Sequence, residues 1–177
     1  LNTYFTVDRT GNLARNLAFG DIALLKPKSD GDLSPEQNAI RTLFPSGISM
    51  HGVSYLARLS LTDPKYTDDQ KHDLVIELVF EQVRVHSFSH HISRFQSIFA
   101  FGTYAEAAAF GEGSVYKLSA EHEMKRYDMN WLRKKPSVDA IAADAFSYWS
   151  QLTMPGSEPR WEYLVSLPVK FELALAN

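Results

Sequence analysis

The apolar positions of this chain follow two different spacings. Thr3-Tyr4-Phe5-Thr6-Val7 is a dense run of β-branched and aromatic residues ending at Asp8-Arg9-Thr10-Gly11, which predicts a strand entering a turn. From Asp68 to Arg84 the spacing becomes helical. Leu74, Val75, Leu78, Val79 and Val83 form the expected apolar stripe, with Glu77, Glu81 and Arg84 largely off it. Shorter helices are marked by their start signals. Ser34-Pro35-Glu36-Gln37 supplies a cap and a first-turn proline for a helix through Leu43, and Ser49 caps one from Met50 to about Ser60 despite Gly52. Thr103 caps Tyr104 to Phe110, and Ser137 opens an alanine-rich helix ending in Phe146, Tyr148 and Trp149. Strands are expected at Ser114 to Leu118, Trp161 to Val165 and Val169 to Leu173, the last two broken at Pro168. Gly20 to Pro35 is turn-rich and predicts a long surface loop with at most a short strand at Ile22 to Leu25.

The stretch around which the rest is organised is Ser93-Arg94-Phe95-Gln96-Ser97-Ile98-Phe99-Ala100-Phe101. From Ser97 onward, alternation puts Ser97, Phe99 and Phe101 on one face and Ile98 and Ala100 on the other. Both faces are largely apolar, so the segment is expected as a strand between layers whose polar groups need partners from protein or ligand. One domain spanning 1–177 is expected, with one N-terminal strand, helices through the first half and most other strands in the second. That segregation predicts an α+β fold with packed, mainly antiparallel sheets.

Composition narrows the chemistry. The 177 residues are 45% hydrophobic, enough for one well-buried core, and the formal charge of −3 gives no global attraction to nucleic acid. The absence of cysteine excludes disulfides, thiol catalysis and cysteine metal sites, and fits a cytoplasmic setting. No apolar run approaches the roughly 18 residues needed to cross a bilayer, so no membrane partner is expected. Phosphate-binding G-x-G-x-x-G and Walker loops are missing, as is a G-x-S-x-G elbow. His86-Ser87-Phe88-Ser89-His90-His91 invites a metal-dependent hydrolase, but His90 and His91 are expected to point apart in an extended segment with no carboxylate at ligand spacing. A pH-sensitive loop is favoured, with no metal site. Asp8 and Asp128 have capping readings beside functional ones, Asp128 within a loop anchored by Trp131.

Three pieces then resemble the motif strands of ADP-ribosyltransferases, in the same order. They are Tyr4-Phe5-Thr6-Val7-Asp8-Arg9, the Ser93–Phe101 stretch followed by Ala105-Glu106-Ala107, and Trp161-Glu162-Tyr163-Leu164-Val165-Ser166-Leu167-Pro168. Phe44-Pro45-x-Gly47-x-Ser49-x-His51-Gly52, taken with Ser93–Ser97, is similar to a poorly characterised bacterial domain family associated with that fold. The resemblance implies split antiparallel sheets packed with helices and NAD held as co-substrate in the cleft between them. It makes Glu162 the catalytic glutamate of an arginine-serine-glutamate class. Arg9 or Thr6 would take the first-strand position and Ser93 or Ser97 the serine position. Relatives commonly carry an acidic or amide residue two before the glutamate, where this chain has Arg160.

The implied activity is that of a glycosyltransferase acting on NAD, in a bacterial toxin or phage-defence effector. Its ADP-ribose would pass to a protein or nucleic-acid acceptor, with a neutralising antitoxin or immunity protein as a further expected partner. A fixed carboxylate at Glu162 stabilises the ribose cation formed as nicotinamide leaves. Arg9 or Arg94 pairs with pyrophosphate, Ser97 orients a ribose or carboxamide, and Tyr4, Phe101 or Trp161 stacks on a ring. On this reading Glu162→Ala abolishes turnover and leaves the melting temperature nearly unchanged. The alternative is a catalytically inactive NAD-binding or partner-binding module of the same fold.

Overall fold

A computed structural model describes residues 1–16, 20–26, 33–121 and 123–175. The described strands form two antiparallel sheets. β1 (Asn2–Asp8), β4 (Ser114–Ala120), β7 (Val169–Leu173) and β2 (Asp21–Ile22) make a four-stranded sheet in the order β1-β4-β7-β2. β3 (Ser97–Ala100), β6 (Trp161–Ser166) and β5 (Arg126–Asp128) make a three-stranded one in the order β3-β6-β5. Helices among them are α1 (Asn12–Asn16), α2 (Pro35–Leu43), α3 (Met50–Gly52), α4 (Asp68–Ser87), α5 (Tyr104–Phe110) and α6 (Val138–Trp149). The fold is α+β.

Alternation in the strands produces three layers. Tyr4, Leu118 and Phe171 of the larger sheet meet Ala100 and Val165 of the smaller in one apolar core. The opposite face of the smaller sheet, through Phe99 and Leu164, is covered by Ile76 and Phe80 of α4 and by Ala145, Tyr148 and Trp149 of α6. Trp149 is fully buried and donates its indole N–H to the Phe80 carbonyl at 2.8 Å, so this second core leaves no aromatic donor wasted.

Capping chemistry sets the helix starts. Ser34, Thr67 and Thr103 each form a reciprocal capping box, with Gln37, Gln70 and Glu106 respectively. After Ser49 caps α3, the chain widens into a π-helical turn over Val53–Arg58. Gly52 is needed there for space: a Cβ would stand 2.6 Å from the Phe95 carbonyl oxygen, so only glycine lets α3 sit against the Ser93–Gln96 turn.

Three expectations are corrected. The Ser93–Phe101 stretch is not one strand, because Ser93 caps a 3-10 turn at Arg94–Gln96 before β3 begins. The stripe on α4 is rotated: Leu78 is 44% exposed, whereas Glu77 is buried beside Leu74, Ile76 and Phe80. The charged segment after β4 contains β5, which adds an edge to β6. Of the Gly20–Pro35 loop, residues 27–32 lie outside the described residues; within the rest, β2 pairs with β7 and Leu25 bridges to Ile48. Among the described residues no helix is long and apolar enough to cross a membrane.

Candidate functional site

Among the described residues, backbone pairing joins the two sheets at one point. Phe5 and Phe101 exchange backbone hydrogen bonds of 2.9 and 2.7 Å, joining β1 to the end of β3. Past that bridge, β3 follows β6 while β1 follows β4, so the two strands separate. The separation is a cleft of about 260 Å³, lined by Thr6, Asp8 and Arg9 on one side and Ser97, Phe99 and Phe101 on the other, with Ser49, His51 and Ser54 of the α3 region closing it. A larger hollow of about 450 Å³ lies at the other end of β1, between Leu1, Glu121 and Lys170; of the motif pieces it touches only Val165, Ser166 and Pro168, and none of the candidate site residues.

Asp8 accepts backbone N–H bonds from Thr10, Asn12, Leu13 and Ala14, which fixes the turn after β1. Burial opposes its charge, but these bonds, that of Ala14 first, hold its carboxyl below the usual range. It is a capping residue. Arg9, next to it, is exposed at the cleft rim with its guanidinium 5.2 Å from the centre of the Phe110 ring. Its charge is matched by no carboxylate of the described residues and is open to an anion in the cleft. Ser97 is buried and donates to the Arg94 carbonyl at 3.3 Å, the backbone partner its position requires.

The remaining sequence candidates lie elsewhere. Tyr4 sits in the inter-sheet core, tilted against Tyr163 at 4.9 Å, with its hydroxyl accepting the Met124 N–H. Ser93 caps the turn and donates to Glu81 at 2.9 Å. Trp161 is half-buried under the Arg126 guanidinium at 4.2 Å. None of these three lines the cleft.

Arg94 and Glu162 belong to a buried polar chain behind the cleft wall. Arg94 donates from Nε and Nη2 to Glu77 at 2.9 and 3.1 Å and from Nη1 to Glu162 and to the Tyr148 hydroxyl. Tyr148 donates to Glu162 at 2.7 Å. Burial opposes the charge on Arg94, but Glu162 and Glu77 beside it hold its pKa well above the ordinary value. Burial likewise opposes ionisation of Glu77, yet Arg94 and then His51 hold its carboxyl well below the usual range. Burial pushes the Tyr148 phenol well above its ordinary value, so it stays a donor.

Phe99 and His51 stand between this chain and the cleft. Both line the cleft; the Arg94 guanidinium lies 4.6 Å over the Phe99 ring, and His51 meets Phe99 edge-on at 4.6 Å. Register separates the two residues expected to share NAD: Ser97 pairs with Ser166, while Glu162 lies four positions back along β6. That is about 13 Å along a strand. The cleft therefore gathers Thr6, Arg9, Ser97 and Phe101, and leaves Glu162, Arg94, Ser93 and Tyr4 outside it.

Sequence reasoning missed Glu77 and Tyr148. A signal for Glu77 existed: it is three residues from both Leu74 and Phe80, an acid in the middle of an apolar stripe that needs a buried cation. Arg94 lies in such an apolar stretch.

The histidine link also departs from expectation. His90 and His91 do not point apart; the chain turns there and their rings lie 4.3 Å apart, edge to face. Among the described residues no group of three or more His, Asp or Glu could hold a metal ion. His91 is buried, with Nε2 at 3.2 Å from the Lys125 ammonium and Nδ1 at 3.0 Å from the Tyr127 hydroxyl. An ammonium only donates, so Nε2 accepts and the proton sits on Nδ1. Burial, then the charge of Lys125, pulls the His91 pKa from 6.5 down to about 4. Below pH 6.5 the unfolded chain takes up a proton that the folded chain refuses, so this stabilisation is full above that pH and lost as pH falls towards 4. The melting temperature should fall between pH 7 and 5, and His91→Gln should flatten that slope; an equally steep slope in the variant would contradict the assignment.

A family model described as "Protein of unknown function (DUF2441)" matches residues 42–174, well over half of the chain. The chain belongs to the DUF2441 family. No curated protein matches it. The DUF2441 match begins after β1, so it covers His51, Glu77, Ser93–Phe101 and Glu162 but not Tyr4, Thr6 or Arg9.

Proposed function

We propose that this protein is an ADP-ribosyltransferase-like enzyme that takes NAD in the cleft between its two sheets. The observation that carries the reading is the divergence of β1 and β3 after Phe5–Phe101, which brings Thr6, Arg9, Ser97 and Phe101 around one opening. Arg9 supplies a rim cation for pyrophosphate, Phe101 and Phe99 an aromatic wall for a ring, and Thr6 a hydroxyl for the ribose or carboxamide. A cleft of this size, open on one side, suits the nicotinamide-ribose end, with the adenosine end outside. Glu162 in its catalytic role reaches the ribose past Phe99, which requires the Arg94 and Tyr148 contacts to loosen. The acceptor is a protein side chain or a nucleic acid.

A second reading follows from those same contacts. Glu162 is 3% exposed, with its Oε1 held by both Arg94 and Tyr148, which suits a module that binds NAD, or a partner, without transfer. Incubation with adenylate-labelled NAD and separate pools of protein, RNA and DNA separates the two. A transferase leaves label on one pool and releases nicotinamide. Binding of NAD with neither product supports the module, and no binding at all removes both NAD readings.

A further inference from the structure

The one buried side-chain polar atom without a hydrogen-bond partner among the described residues is His51 Nε2. It lies 3.2 Å from Glu77 Oε1, close enough for an ionic contact but off the line of a good hydrogen bond. The ring is held on three sides, by Tyr55 at 4.8 Å, Phe95 at 6.0 Å and Phe99 at 4.6 Å, and its exposed edge forms part of the cleft wall beside Ser49 and Ser54. Glu77 is itself fixed by two hydrogen bonds from Arg94, so the carboxylate facing His51 has little freedom to move. A carboxylate accepts and does not donate, which places the imidazole proton on Nε2 and the lone pair on Nδ1. With Nε2 turned inward, Nδ1 is the nitrogen left for the cleft.

We propose that His51 is the cleft's general base, oriented by Glu77, for the nucleophile that attacks NAD. This rests on the NAD reading above and adds the residue that carries the proton. An acceptor hydroxyl gives its proton to His51 Nδ1 while its oxygen bonds to the anomeric carbon of the nicotinamide ribose. The glycosidic C–N bond breaks, its electron pair leaves with nicotinamide as a neutral molecule, and the imidazolium is neutralised against Glu77. Water in place of the acceptor gives ADP-ribose by the same steps. The arrangement is the one general-base catalysis needs: a base at the cleft surface, and a buried third group that fixes its ring.

The test uses His51→Ala, with NAD consumption, NAD affinity and added imidazole as readouts. The variant should fold, bind NAD within a few-fold of the wild type, and consume it roughly a hundredfold more slowly, within the range by which a general base accelerates a reaction. Imidazole, entering the space left beside Phe99, should restore part of the rate in the variant and none in the wild type. A structural role for His51 would not be rescued by imidazole. Carbethoxylation by diethyl pyrocarbonate gives a readout free of turnover: His51 of the native protein should be modified, and NAD should protect it. Unchanged turnover in His51→Ala, or a loss that imidazole does not restore, overturns this inference and leaves the NAD reading standing. A wild type that neither binds nor consumes NAD overturns both.

Discussion

Arg94→Met should unfold at a free energy about 3–5 kcal/mol below the wild type, the loss expected when one partner of a buried ion network is removed. Arg94 is the cation shared by Glu77 and Glu162, and all three are under 10% exposed. Methionine fills much of the space but leaves the buried Glu77 and Glu162 carboxylates without the guanidinium they share. Against a total stability of about 5–15 kcal/mol for a domain, that is a large fraction. The sign of the pH dependence distinguishes this from a packing defect. In the wild type the depressed pKa of Glu77 contributes stability that is full above its unfolded value of 4.5 and lost as pH falls below it. In the variant Glu77 loses the charge of Arg94, the larger of the two that hold it ionised, so its buried carboxyl takes up a proton more readily as the pH drops and the penalty shrinks. Urea unfolding at pH 7 and pH 5 should show the gap between the two proteins narrowing in acid. A gap that is constant with pH would mean the loss is one of packing alone.

Glu162→Ala should be destabilised by a similar amount, because it removes the acceptor of both Arg94 and Tyr148 and leaves a buried cation half paired. This replaces the expectation of a nearly unchanged melting temperature. Glu162 is on the central strand of its sheet, between β3 and β5, with its side chain under α6. Glu162→Gln keeps the volume and an acceptor for Tyr148, and should cost about 1–3 kcal/mol. The glutamine variant is therefore the one in which to ask about chemistry. If Glu162 acts on the ribose cation, Glu162→Gln binds NAD and fails to turn it over; full turnover in that variant would remove Glu162 from the mechanism.

Much of the fold was legible because local signals agreed with it. The alternation puts Phe99 against the helical layer and Ile98 and Ala100 in the inter-sheet core, while Phe101 packs with Ala107 and Val115, and the caps at Ser34, Ser49 and Thr103 start helices where the chain says they do. Asp128 accepts the Asn130, Met154 and Arg160 N–H groups, the cap of a 3-10 turn and an anchor for the loop before β6. The site was less legible, since a strand pattern fixes which face a residue takes but not its position along the neighbour. Ser97 and Glu162 lie on strands that do pair, four residues out of step. Glu77 was misplaced for a different reason: amphipathic spacing treats an acid as solvent-facing, and only the fold brings an arginine from 17 residues further along to meet it.

The most direct test is calorimetric titration of NAD into the wild type and into Arg9→Ala. Arg9 is exposed at the cleft rim, so its removal should leave the melting temperature unchanged. Loss of a charged hydrogen-bonding partner for pyrophosphate should weaken NAD roughly tenfold to a hundredfold. The expected result is saturable binding to the wild type with a rise in melting temperature that the variant largely loses. No heat of binding and no shift at saturating NAD, or equal affinity in Arg9→Ala, would contradict the assignment of this cleft to NAD.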